Sequence, residues 1–160
     1  MSELETILQL SSGLSFLALA MAASAQRLPY GPEITLDLAK KIAAAAIAEA
    51  GKNSWNVAVA IVDNHGFLVY YERLDDTQTA SPTIAVEKAR SAAMFRRATR
   101  EMQDGVNKGN PAFLGIPGAT PIAGGLPITV GGKIIGGVGV SGVTSDQDEQ
   151  IAKAGLEAVK

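Results

Sequence analysis

The chain has a single histidine, His65, which stands in Asn64-His65-Gly66 between two apolar runs. A lone imidazole can serve as an axial haem ligand or as a general base near neutral pH. At the tip of a tight turn it can equally be a solvated turn residue. Further on, Arg73-Leu74-Asp75 ends the second run. Arg73 there can clamp a carboxylate, with Asp75 orienting it or acting as a base. The plain alternative is a surface ion pair at a strand end, which contributes little. Lys88 falls on the apolar stripe of a predicted helix. Such a lysine either snorkels outward or is partly buried and paired, with a lowered pKa suited to Schiff-base or acid–base work. Lys88, Arg73 and Asp75 are therefore the candidate catalytic residues of a small enzyme without a cofactor, a lyase or isomerase acting on a carboxylated metabolite.

A second set of residues suits ligand or cofactor binding. Arg96, Arg97 and Arg100 form a helical basic cluster that fits propionates or a carboxylate substrate, or else an ordinary solvated face. Gly124-Gly125 and the glycines at 136, 137, 139 and 142 can bare backbone N–H groups toward an anion. They lack a phosphate-loop lysine and the strand–GxGxxG–helix order, so they do not indicate a nucleotide. Ser141 is a possible nucleophile with no base adjoining it in sequence. His65, Arg96, Gly124, Gly125, Gly137 and Ser141 are the candidate cofactor-binding residues. Met94, Met102, Tyr70 and Tyr71 join His65 as possible iron ligands in a haem-binding reading. The ligand site is expected between the loop at 107–125 and the strand at 136–142, whose glycines, Gly137 among them, would leave open space.

The totals narrow the partners. A length of 160 residues suits one domain with a real core. Hydrophobic residues make up 47% and aromatics 5%, so small side chains must let backbones approach closely. A net charge of −2 gives no footprint for nucleic acid. With no cysteine, thiolate metal sites and thiol nucleophiles are excluded, and one histidine rules out a two-histidine metal site within one subunit. No metal ligands are assigned. The expected partners are a small anionic ligand and further copies of the chain, because flat small-residue faces and an apolar N-terminal segment call for cover.

The positioning elements follow from periodicity. Thr35 caps a helix whose stripe runs Leu38, Ala39, Ile42, Ala43, Ala46, Ile47 and Ala50, and Gly51 stops it. The stretch 55–63 is apolar on both faces, as in a covered central strand, and 67–73 returns from the Asn64-His65-Gly66 turn. Ser81-Pro82 starts a helix expected to run to about Gln103. Strands at 126–130 and 133–141 flank Gly131-Gly132. Thr144-x-x-Gln147 opens the last helix as a capping box. The prediction is an α+β domain with a single antiparallel sheet, built from two hairpins with helices packed on it.

Residues 1–32 read as an N-terminal helical extension or signal-like segment with a linker, and 33–160 as the domain. The apolar run 14–23 is shorter than the roughly 20 residues that span a bilayer. Ala23-Ser24-Ala25 has the form of a signal peptidase site, but the leader is acidic, and Leu4, Ile7, Leu8 and Ser11 follow helical spacing. A retained helix implies a cytoplasmic protein; cleavage of residues 1–25 would imply a periplasmic or secreted one. Leu28-Pro29-Tyr30-Gly31-Pro32 reads as linker.

Several stretches from about 33 to 159 resemble the GlcG/HbpS-like family of haem-binding or haem-degrading proteins. They are Ile34-Thr35-Leu36 with the alanine-rich helix, Val59-Ala60-Ile61-Val62-Asp63, Leu68-Val69, Arg73-Leu74-Asp75 and Ala85-x-x-Lys88-Ala89. After them come Gly124-Gly125-Leu126-Pro127-Ile128, Gly136-Gly137-Val138-Gly139-Val140-Ser141-Gly142 and Asp146-x-Asp148. The resemblance implies a small-molecule-binding protein with haem as its cofactor. Haem-binding members are associated with a histidine near the first helix of the domain. Here Thr35 to Ala50 contains none, and His65 stands where the family usually has a small residue.

Overall fold

The computed structural model describes residues 27–160. The expected helical or signal-like stretch at 1–26 lies outside the described residues. The domain begins with helix α1, Leu36–Lys52, capped by the Thr35 side chain. Strands β1 (Ala58–Asp63) and β2 (Leu68–Arg73) form the first hairpin. Helices α2 (Ser81–Phe95) and α3 (Thr99–Asn107) follow, then a 3-10 turn at Pro111–Gly115. Strands β3 (Gly125–Val130) and β4 (Lys133–Ser141) form the second hairpin, and α4, Ser145–Leu156, follows. The Thr144–Gln147 capping box is formed as expected.

All strand pairs are antiparallel, in the order β2-β1-β4-β3. This is the predicted α+β sheet of two hairpins, joined through β1 and β4. Its two faces differ in side-chain size. Val59, Ile61, Leu126, Ile128, Val138 and Val140 point to one side and form the main core with α1 and α4. Ala58, Ala60 and Val62 point to the other, where α2 lies with Ala85, Ala89 and Ala93. A sheet carrying apolar residues on both faces must be covered on both, and three layers result.

The glycines of β4 set the height of α2 above the sheet. A Cβ at Gly139 would lie 2.0 Å from the Ala85 carbonyl oxygen, and one at Gly137 would lie 2.3 Å from that of Ala89. The space expected beside these glycines for a ligand is filled by the α2 backbone, as strand glycines permit.

Two expected elements change. The helix predicted from Ser81 to about Gln103 breaks at Arg96, which adopts a left-handed conformation (φ 52°, ψ 45°) and closes on the Ala92 and Ala93 carbonyls. The chain restarts at Thr99, whose hydroxyl accepts from the Gly125 N–H at 2.9 Å and so ties α3 to the start of β3. The segment read as linker is pinned to the sheet. Gly31 N–H donates to Ile134 O (2.8 Å), Ile134 N–H to Pro29 O (2.9 Å) and Ile34 N–H to Ile135 O (3.0 Å). These bonds flank β4 beyond Asp63–Gly136, the last pair it makes with β1.

Candidate functional site

The β1–β2 turn is shaped by Asp63, whose Oδ1 accepts from the backbone N–H of His65 (2.8 Å) and of Phe67 (2.9 Å). An aspartate bonding forward in this way fixes a tight turn and displays the His65 ring, whose side chain is 64% exposed. Gly66 follows at φ +89°, and a Cβ there would meet the Met94 sulfur at 2.9 Å. Glycine therefore allows the turn to rest on the last turn of α2. Arg90 Nε fastens it by donating to the Gly66 carbonyl at 2.9 Å.

The third wall comes from the segment before α1. The Tyr30 hydroxyl donates to the Met94 carbonyl at 2.8 Å. The Arg96 guanidinium lies over the Tyr30 ring, 5.3 Å from its centre, and reaches the Leu28 carbonyl at 3.3 Å. Tyr30, Asn64, His65 and Met94 thus line an open groove of about 310 Å³. Asn64 Nδ2 donates to Gly31 O at 2.7 Å, while its buried Oδ1 has no hydrogen-bond partner. Glu33 Oε1 stands 3.7 Å from His65 Nε2. At that distance the two groups attract electrostatically but do not share a hydrogen bond.

The other predicted site residues lie apart from this groove. Lys88 is 1% exposed; its Nζ bonds Asp148 Oδ2 at 2.7 Å and Val140 O at 3.0 Å. Asp148 Oδ1 accepts from the Val143 N–H. Burial pulls the Lys88 pKa below the usual lysine range and pushes that of Asp148 up, and their mutual attraction opposes both shifts. Arg73 and Asp75 are exposed near the end of β2. The expected convergence of Arg73 with Lys88 does not occur, because the lysine is held at β4 and β1 separates β4 from β2. Neighbouring strands lie about 4.8 Å apart, so two spacings put roughly 10 Å between them.

Gly124 (φ +118°) abuts Asp148, Lys88 Nζ and the Val140 carbonyl, and Gly125 lies against the Lys88 carbonyl. Ser141 is 5% exposed at the end of β4. Of the basic cluster, Arg96 alone touches a wall of the groove. Arg97 stacks on Phe113, and Arg100 pairs with Glu149 and Asp146. Among the other named iron ligands, Met102 is buried against Ser91, and the Tyr70 hydroxyl donates to Glu72.

Sequence reasoning missed Tyr30, Asn64 and Asp148. Tyr30 stood in a stretch read as linker and Asn64 in a turn. Asp148 was visible as an acid of the α4 first turn. The signal for its pairing was Lys88 on an apolar stripe, since a buried cation requires a buried acceptor.

The sequence pattern of the haem degrading protein HbpS-like family matches residues 34–157. The chain belongs to this family. Protein GlcG of Escherichia coli K12 is 45% identical over 108 residues, spanning 68% of this chain and 81% of GlcG. A double mutant of Streptomyces reticuli HbpS has the same fold with a TM-score of 0.75 and 34% identity, over 83% of this chain and 91% of that one. The solved PduOC:heme complex matches with a TM-score of 0.72 and 28% identity, over 80% of this chain and 96% of that one. Among the described residues, no helix is long and apolar enough to cross a membrane.

Proposed function

We propose that this HbpS-like chain binds haem in the groove between the β1–β2 turn and the end of α2. The observation that carries the reading is the meeting of His65 and Met94 in one groove. Imidazole and thioether are the donor pair that holds haem iron in His/Met-ligated proteins. The donor set therefore fits the group. So does the wall chemistry: Tyr30 supplies a flat aromatic side, and Arg96, stacked on it, is a cation of the type that pairs with a propionate. The family supports the reading, as does the haem complex of PduOC.

In this reading His65 and Met94 would be the side chains that hold the haem iron, and Arg96 would pair with a propionate. Bound haem would supply the iron chemistry, while the chain holds it, limits solvent on one side and neutralises its acid groups. The enzyme alternative built on Lys88, Arg73 and Asp75 has less support, because the Lys88 amine already bonds Asp148 and Val140.

The test is titration of the purified chain with hemin, followed by the Soret band. The wild type should saturate at one haem per groove. His65→Ala should weaken binding by roughly a hundredfold, a loss of about 2.7 kcal/mol. A His65→Ala titration that overlays the wild type would overturn the assignment.

A further inference from the structure

We propose that Met94 is a reversible oxidation site, at which a hydroperoxide converts the thioether to a sulfoxide and so weakens haem binding in the groove. This deepens the haem reading and rests on its placing of Met94 against the ligand.

Exposure selects this methionine. Oxidation of a side-chain sulfur follows its access to solvent. Met94 is half exposed at the end of α2 and lines the groove, whereas Met102 is fully buried against Ser91. The chain has no cysteine, so no thiol competes for the oxidant. A sulfur lone pair attacks one peroxide oxygen, the O–O bond breaks, and that oxygen stays on sulfur. The departing oxygen takes up a proton and leaves as water, or as an alcohol from an alkyl hydroperoxide. Sulfur is oxidised and the peroxide is reduced, with no further reactant.

The surroundings of the sulfur carry the change to His65. A Cβ at Gly66 would lie 2.9 Å from the Met94 sulfur, so the sulfur rests against the turn that displays His65. The Tyr30 hydroxyl holds the Met94 carbonyl at 2.8 Å, so the helix end stays in place and the turn gives way. A sulfoxide oxygen on the Gly66 flank pushes that turn outward. One on the groove flank stands in the space for haem and is polar where the thioether was apolar. Both epimers therefore disturb the meeting of His65 and Met94, and both replace the soft sulfur donor.

A cation lies ready for the new oxygen. Arg90 is one helical turn before Met94 on the same face, and its Cγ is 3.6 Å from the same Gly66 Cβ position. Arg90 Nε bonds Gly66 O and Nη1 bonds Glu87, which leaves Nη2 without a partner among the described residues. A guanidinium donor beside a strong acceptor such as a sulfoxide favours the oxidised form.

The test treats the haem-free full chain with hydrogen peroxide, quenches it with catalase and maps the methionines by peptide mass spectrometry. Met94 should gain one oxygen at least roughly tenfold faster than Met102, and the amides of His65 and Gly66 should shift as it does. The oxidised chain should bind hemin roughly tenfold more weakly, and methionine sulfoxide reductases of both stereospecificities should restore binding. Met94→Leu should bind hemin more weakly from the outset and lose nothing further on peroxide treatment. Oxidation of Met94 no faster than that of Met102, or an oxidised chain that binds hemin as the untreated chain does, would overturn the proposal. An equal loss in peroxide-treated Met94→Leu would also overturn it, because the damage would then lie at another residue. The His65→Ala titration separates the two readings. If it overlays the wild type while oxidation still weakens binding, the His65 assignment falls and the Met94 site stands; if it is weakened while oxidation has no effect, only the Met94 site falls.

Discussion

At the scale of single residues, the Lys88–Asp148 pair separates scaffold from site. Both side chains are almost fully buried and each is the other's charged partner. Removing one partner leaves an uncompensated buried charge, so Lys88→Met should cost about 3–5 kcal/mol. The double variant Lys88→Met, Asp148→Leu removes both charges and should regain most of that loss, because an apolar pair of similar volume is often neutral or stabilising. Urea melts of the three proteins check this. A double variant no more stable than Lys88→Met would show that the polar contacts with Val140 and Val143 matter more than the charge balance. The lysine's place on an apolar stripe was readable in the sequence. Its partner lies sixty residues away and meets it only through the packing of α2 and α4 across the sheet. His65 and Met94 were likewise readable as donor types. Their meeting was not, because it depends on how far the hairpin turn folds over the end of α2.

Among the elements, glycine positions with different surroundings predict opposite outcomes. Gly139 has the Ala85 carbonyl 2.0 Å from where its Cβ would sit. Gly139→Ala must push α2 off the sheet, and overpacking of this kind costs about 1–3 kcal/mol. Gly51 lies in the last turn of α1 with open space around it and no positive φ. Gly51→Ala should therefore stabilise the protein by about 0.4–1 kcal/mol, chiefly by restricting the unfolded chain. Thermal melts of the two variants should move in opposite directions, and a rise for Gly139→Ala would contradict the close contact of α2 with β4. The hairpins and the α4 cap were legible because Gly131-Gly132, Asn64-His65-Gly66 and Thr144-x-x-Gln147 are local signals. The break in α2 was not, because Arg96 adopts a left-handed conformation that no glycine announced. The β4 glycines signalled a close approach, and the structure supplied the partner, the α2 backbone.

For the whole molecule, the exposed apolar surface bears on assembly. Phe67 (67% exposed) and Leu68 (53%) lie at the start of an edge strand, and Met94 is half exposed nearby. Apolar groups at an unpaired sheet edge favour association, and closed symmetric oligomers are the usual result. Light scattering at micromolar concentration should give a mass of at least twice the 16.5 kDa of one chain. A Phe67→Lys, Leu68→Lys variant should shift the mass toward the monomer, whereas a wild type already at 16.5 kDa would contradict self-association.

The central claim is that His65 and Met94 hold haem in one groove. The most direct measurement is electron paramagnetic resonance of the ferric haem complex in the wild type, Met94→Leu and His65→Ala proteins. Haem iron held by both the His65 and Met94 side chains would give a low-spin signal in the wild type. Met94→Leu should convert it to high spin by removing one ligand, and His65→Ala, loaded at hemin levels that offset its weaker binding, should lose the low-spin signal as well. Identical spectra from all three proteins would place the iron elsewhere and contradict the account.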